Sequence, residues 1–147
     1  MTDYYLAHAV GVEDGTQNPP YKYDGRFVGA KKKVVRAIHP AGVAYANGDR
    51  MFLAALKAGE QISDIKVTSD TSFGTTTVSV GPTGSATKYV NAKTMTTTDV
   101  PTSIGPKATA QDDGPLAADE DVWITLGVGG IAGAVLFTVD VEIISAS

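Results

Sequence analysis

Apolar and polar residues alternate with a step of two over the last part of the chain. Within residues 119–144 (DEDVWITLGVGGIAGAVLFTVDVEII), Val122, Ile124, Leu126 and Val128 alternate with Trp123, Thr125 and Gly127. Further on, Val135, Phe137, Val139, Val141 and Ile143 alternate with Leu136, Thr138, Asp140, Glu142 and Ile144. A repeat of two lets a pleated strand bury one face and leave the other wetter. A helix would scatter the same valines around its axis. The pattern predicts two long antiparallel strands, buried at the centre of a β domain. The glycine-rich run between Gly127 and Gly133 reads as their hairpin connection, because glycine accepts the positive φ angles of a turn.

The rest of the chain is organised around these strands. Residues 33–39 (KVVRAIH) predict a first strand, stopped by Pro40, and 42–47 a short second one before the Asn47-Gly48-Asp49 turn. Residues 49–56 fit two readings. Asp49 as N-cap with Gly59 past the end suits a helix, whereas Met51, Leu53 and Ala55 on one face suit a strand. The β-rich surroundings favour the strand. In 61–70, Ile65 and Val67 alternate with Asp64, Lys66 and Thr68, and the out-of-phase Ile62 marks a bulge. Residues 70–74 form a loop, 75–81 return as a strand, and Gly81-Pro82-Thr83-Gly84 turns again. From 86 to 115 the chain is rich in Thr, Pro and Gly. It reads as a long loop with one short strand, anchored by Tyr89, Val90, Met95, Val100 and Ile104, of the kind that covers something or contacts a partner. Short strands separated by Gly/Pro turns give an all-β fold, an antiparallel β-sandwich of jelly-roll type, over residues 33–147.

Residues 1–32 show no sustained periodicity. They contain Tyr4, Tyr5, Tyr21, Tyr23 and Phe27 among several Gly and Pro, a composition that suits an extended N-terminal arm packed on its own domain or on a neighbour. Lys22, Arg26, Lys31, Lys32, Lys33 and Arg36 make up half of the 12 basic residues, so positive charge gathers where the arm meets the first strand.

Composition narrows the chemistry. At 147 residues and 43% hydrophobic content the chain can build one core, and a net charge of −4 argues against a dedicated nucleic-acid binder. There is no cysteine, hence no disulfide, thiolate metal site or thiol nucleophile. The first ten residues do not read as a signal peptide, and the apolar runs are too short and too alternating to span a bilayer. A cytosolic site of synthesis is expected.

Catalytic patterns are weak. Residues 127–132 (GVGGIA) match G-x-G-x-x-A after a strand, but a dinucleotide site needs a helix next, and a two-residue alternation follows instead. His8 and His39 have no acidic or histidine neighbour at ligand spacing and read as surface or arm positions. Asp112-Asp113 with Asp119-Glu120-Asp121 offer a weaker calcium reading without an EF-hand pattern; solvated acids ahead of a strand explain them better. Trp123 lies opposite the aliphatic face, suited to packing under the long loop or against another subunit, or to stacking on a sugar. No enzyme, cofactor or metal is expected.

From residue 33 to about 144 the wording resembles small head proteins of tailed bacteriophages, the decoration (cement) proteins. The likeness lies in ISDIKVTSDTSFGTTTVSVG, in ATKYVNAKTMTTTDVPTSIG and in PLAADEDVWITLGVGGIAGAVLFTVDVEI. The resemblance implies a jelly-roll-like sandwich without an active site, seated on the outer capsid surface of the virion against the major capsid protein, often as a trimer. Neither nucleic acid nor membrane enters as a partner. The contact residues expected on this reading are Tyr4, Tyr5, Tyr21, Tyr23, Arg26, Phe27, Lys31, Lys32, Lys33, Arg36 and Trp123. A carbohydrate-binding or host-adsorbing sandwich is the rival, and would use exposed aromatics such as Trp123.

Overall fold

The computed structural model describes residues 31–40 and 42–145. Eight strands and one short helix follow in order: β1 (Lys31–Ile38), β2 (Arg50–Leu56), β3 (Glu60–Ser69), β4 (Thr77–Pro82), β5 (Val90–Thr94), β6 (Thr102–Gly105), α1 (Ala108–Asp112), β7 (Glu120–Gly127) and β8 (Phe137–Ser145). They build two four-stranded antiparallel sheets, ordered β1-β8-β3-β6 and β2-β7-β4-β5. The first strand pairs with the eighth, the second with the seventh, the third with the sixth and the fourth with the fifth. The chain is thus one long hairpin, rolled until β8 also meets β3 and β7 also meets β4. This is a jelly roll.

The alternating stretch forms β7 and β8 as expected, but they do not form a hairpin. Each is an inner strand of a different sheet, and residues 128–136 cross from one sheet to the other. The reason lies in what covers the alternating faces. Val122, Ile124 and Leu126 on β7 and Phe137, Val139, Val141 and Ile143 on β8 are all buried in one core. Set in facing sheets, the two rows pack towards each other across the core.

Local irregularities follow from the same need. In β3 the register shifts between Ile62 and Asp64, so Ile62 and Ile65 both point inward; this is the bulge expected from the pattern. Residues 50–56 are a strand, as favoured, but the register also shifts between Phe52 and Ala54. Leu53 and Ala54 are consequently both buried, Leu56 follows them, and Ala55 is exposed instead of sharing a face with Met51 and Leu53. Residues 42–47 hold only an isolated bridge, Tyr45 to Ile131.

The stretch 86–115 carries two strands and a helical turn in place of a loop with one strand. Tyr89, Val90, Met95 and Ile104 anchor it in the core, whereas Val100 is 53% exposed. Val128 also departs from expectation. β7 ends at Gly127, and Val128 takes φ +67 inside a three-residue turn closed by the Gly129 N–H on the Gly127 carbonyl at 2.7 Å. A β-branched residue is strained there, and its side chain is exposed.

Candidate interaction surfaces

The basic cluster is split by the limits of the described residues. Tyr4, Tyr5, Tyr21, Tyr23, Arg26 and Phe27 lie outside them, as do Lys22 and His8. Lys31, Lys32, Lys33 and Arg36 all sit on β1, which begins two residues earlier than the sequence pattern placed the domain. Three of them are engaged within their own sheet. Lys32 pairs with Glu142 at 3.2 Å and Lys33 with Glu60 at 2.7 Å. Arg36 donates to both carboxylate oxygens of Asp140. The hydrogen bond from Arg36 holds the Asp140 carboxyl below its ordinary range, and that from Lys33 does the same for Glu60. Cross-strand neighbours of opposite charge make this possible, since Arg36 lies opposite Asp140 in the β1–β8 register.

Trp123 stands on the outer face of the β2-β7-β4-β5 sheet between Phe52 and Gly81. The Phe52 ring meets it edge-on with centroids 5.3 Å apart. The Arg50 guanidinium lies 4.1 Å from the Trp123 ring centroid and donates to Thr83 Oγ1 at 2.8 Å. One face of the indole is therefore occupied by a cation, an arrangement worth about 0.5–1 kcal/mol at such sites. Phe52 is the more exposed ring, at 51%.

The two ends of the sandwich differ. Connections 39–49, 70–76, 95–101 and 128–136 all cross between sheets at one end. Ile38, Val43, Val100, Val128 and Leu136, exposed large hydrophobics, lie at or beside it. These connections contain Asp49, Asp70 and Asp99 but no Lys or Arg. Their backbones are tied together: the Gly42 N–H donates to the Gly133 carbonyl, that of Tyr45 to Ile131, that of Phe73 to Met95, and that of Asp70 to Leu136. The opposite end is charged. Asp119 accepts from the Ala58 N–H and from Lys57, and both depress its pKa, the backbone donor most. Glu120 accepts from Lys88 at 2.8 Å and from the Tyr89 hydroxyl at 2.5 Å, and burial pushes the Tyr89 phenol up.

His39 is buried at the apolar end, against the expectation of a surface position. It stacks on Phe137 with centroids 4.6 Å apart. Its Nδ1 lies 2.6 Å from the Val135 carbonyl oxygen and its Nε2 2.6 Å from that of Val43. Both partners are acceptors, so a neutral ring satisfies one and an imidazolium both. The ring therefore ties the strand end to two connections, which is a packing role. Sequence spacing missed this because the partners are backbone atoms, which leave no signature in side-chain type.

The remaining motifs do not assemble chemistry. No helix follows Gly127–Ala132. A Cβ on Gly130 would come within 2.0 Å of the Tyr45 carbonyl oxygen, and one on Gly133 within 2.8 Å of Gly42. Those glycines serve close approach of two connections. Among the described residues no three His, Cys, Asp or Glu side chains are grouped to hold a metal ion, and Asp119 and Glu120 are committed to the partners above. Among them, too, no helix is long and apolar enough to cross a membrane.

No protein-family model matches the chain, and no curated protein does. Solved structures do share its fold. A chain of the cyanophage Pam1 capsid asymmetric unit aligns over 79% of this chain and 86% of its own length, with a TM-score of 0.53 and 19% identity. A chain of the capsid of Ralstonia phage GP4 aligns over 80% and 85%, with a TM-score of 0.56 and 14% identity. At such identities the likeness is one of fold: an antiparallel β-sandwich that two phage capsids also contain.

Proposed function

We propose that this chain is a virion structural protein of a tailed bacteriophage, a decoration (cement) protein that binds the outer surface of the head and stabilises it, without enzymatic activity. The observation that carries the reading is the fold match, over 79–80% of this chain and 85–86% of theirs, to chains within two phage capsids. The geometry is consistent with it. The body is a two-sheet sandwich with connections tied together at one end, where exposed apolar residues gather, and a basic run lies on β1. The partner on this reading is the major capsid protein, and the protein acts as a homotrimer. Lys31, Lys32, Lys33, Arg36 and Trp123 are contact candidates on the described surface, and Tyr4, Tyr5, Tyr21, Tyr23, Arg26 and Phe27 complete the set outside it.

The test is co-sedimentation of the purified protein with phage heads assembled without it, together with its mass by light scattering. Saturable pelleting with the heads and a trimer mass are expected. Protein left in the supernatant at every concentration would overturn the shell-binding role. A monomer mass at high concentration would overturn the trimer. A glycan-array signal from the isolated protein, with no pelleting, would favour the host-adsorbing alternative.

A further inference from the structure

The apolar end of the sandwich carries a hollow of about 300 Å³. Its walls include the buried His39 and Phe137 and, exposed around them, Ile38, Leu136, Asp70 and Asp99. Ile38 and Leu136 are 68% and 61% exposed. The main chain fixes where the two acids stand. The Asp70 N–H donates to the Leu136 carbonyl, the Leu136 N–H returns to Asp70 Oδ1 at 2.9 Å, and the Asp99 N–H donates to the Ser69 carbonyl at 2.7 Å. Among the described residues neither carboxylate belongs to an ion pair, whereas Glu60, Asp140 and Glu142 on the β1-β8-β3-β6 sheet all do.

We propose that this hollow receives a lysine or arginine side chain of a different polypeptide, its charged head at Asp70 and Asp99 and its aliphatic stem against Ile38 and Leu136. The make-up of the surface selects that ligand. Two exposed aliphatic side chains alone would suit any apolar group, and two carboxylates alone would stay solvated. Together they match a side chain that is apolar along its stem and cationic at its tip. Asp70 is also held ready, because the Leu136 N–H and the Thr71 hydroxyl both bind its Oδ1 and leave Oδ2 to accept from a newcomer. The connections at this end supply no cation themselves, since they contain no Lys or Arg. A second copy of this chain fits less well. Pairing this end with itself would set Asp70 and Asp99 against their own counterparts. The lysine run of a second copy lies at the far end of the sandwich, since Lys31 pairs with Ser145 while Ile38 pairs with Thr138. Inserting that run would stack copies head to tail in an open array. The occupant is therefore a segment of another protein that carries Lys or Arg beside apolar residues.

The experiment titrates the isotope-labelled full chain with the peptide acetyl-Leu-Arg-Leu-amide, and with the same peptide carrying Gln in place of Arg. The Arg peptide should shift the amide resonances of Asp70, Asp99 and Leu136 saturably. Its binding should weaken several-fold at high salt, and the Gln peptide should bind several-fold more weakly at low salt. Combining Asp70→Asn with Asp99→Asn should abolish the advantage of the Arg peptide. The Asn amide oxygen still accepts from the Leu136 N–H, so the fold should persist, with the urea midpoint as the check. Leu136→Ser, which trims an exposed side chain, should weaken both peptides. Equal binding of the two peptides to the wild-type chain would overturn the proposal, as would shifts confined to other surfaces or no shifts at all. Shifts of the same amides on dilution without peptide, with no peptide bound, would also overturn it and would assign the hollow to a second copy. Because no heads are needed, the result stands apart from the shell-binding reading.

Discussion

Arg36 and Asp140 face each other across the β1–β8 ladder and close a two-pronged ion pair, Nε to Oδ1 at 2.8 Å and Nη2 to Oδ2 at 2.9 Å. The pair spans 104 residues of sequence and ties the first strand to the last. Its parallel hydrogen bonds give it a defined geometry that a single surface contact lacks.

That geometry sets an acid dependence. Asp140 and Glu60 both have lowered pKa values in the fold. A carboxyl with a depressed folded pKa contributes stability above its unfolded value, about 3.9 for Asp and 4.3 for Glu, and loses it as pH falls through the folded value. Arg36→Gln should therefore lower the urea midpoint relative to wild type at pH 7. The gap should shrink as pH falls below about 4, the ordinary Asp range. Equal gaps at pH 7 and pH 3 would show that the pair is not the source.

The register of β8 makes a second prediction. Val139 is 2% exposed, and Thr138 beside it points to the wetter face. Val139→Asp buries a carboxylate without a partner and should cost about 3–5 kcal/mol, whereas Thr138→Asp should stay within about 1 kcal/mol. Thermal or urea unfolding of the two variants is sufficient. Equal stabilities would reverse the assigned faces.

The strands that span the core were legible in the sequence because burial on one face writes itself as alternation: β3, β7 and β8 all show it. Their partnership was not. Alternation in β7 and β8 says that each has a buried side, but not whether the two lie in one sheet or in facing sheets. That depends on how the hairpin rolls. β5 was illegible for another reason. Of its residues only Val90 is buried, and Asn91, Ala92, Lys93 and Thr94 are exposed on an edge strand, so backbone pairing carries it with little side-chain pattern. Among the surfaces, the basic run and Trp123 were visible as residue types. Their engagement with Glu142, Glu60 and Arg50 was hidden, because strand partners far apart in sequence bring those charges together.

Close approach of the connections gives a third prediction. Gly130 passes so near the Tyr45 carbonyl that Ala would force the two connections apart and strain the Tyr45–Ile131 bridge. Gly130→Ala should destabilise by about 1–3 kcal/mol, as overpacking does. Gly114 has open space around a Cβ and no positive φ. Gly114→Ala should therefore lie within about 0.5 kcal/mol of wild type. Two variants of equal midpoint would mean that residues 128–136 do not pack on 42–46 as described.

The last prediction concerns the lysines at the start of β1 and belongs to the shell-binding reading. Lys32 and Lys33 are paired with Glu142 and Glu60, yet their side chains remain 57% and 52% exposed, and Lys31 is exposed as well. Ammonium groups this exposed are screened by salt, and they can be shared with an acidic surface brought alongside. Such charges act mainly on the rate of encounter. Changing Lys31, Lys32 and Lys33 together to Gln should therefore slow attachment to heads several-fold at low ionic strength. At high salt, where the field is already screened, it should change attachment little. The variant should remain folded, because the exchanged groups lie outside the core. Attachment kinetics at two ionic strengths, with unfolding midpoints as the control, separate the outcomes. If attachment is unchanged at both while the midpoint falls, these lysines serve only their own sheet. If it is slowed equally at both, the contact is one of close packing and not of steering.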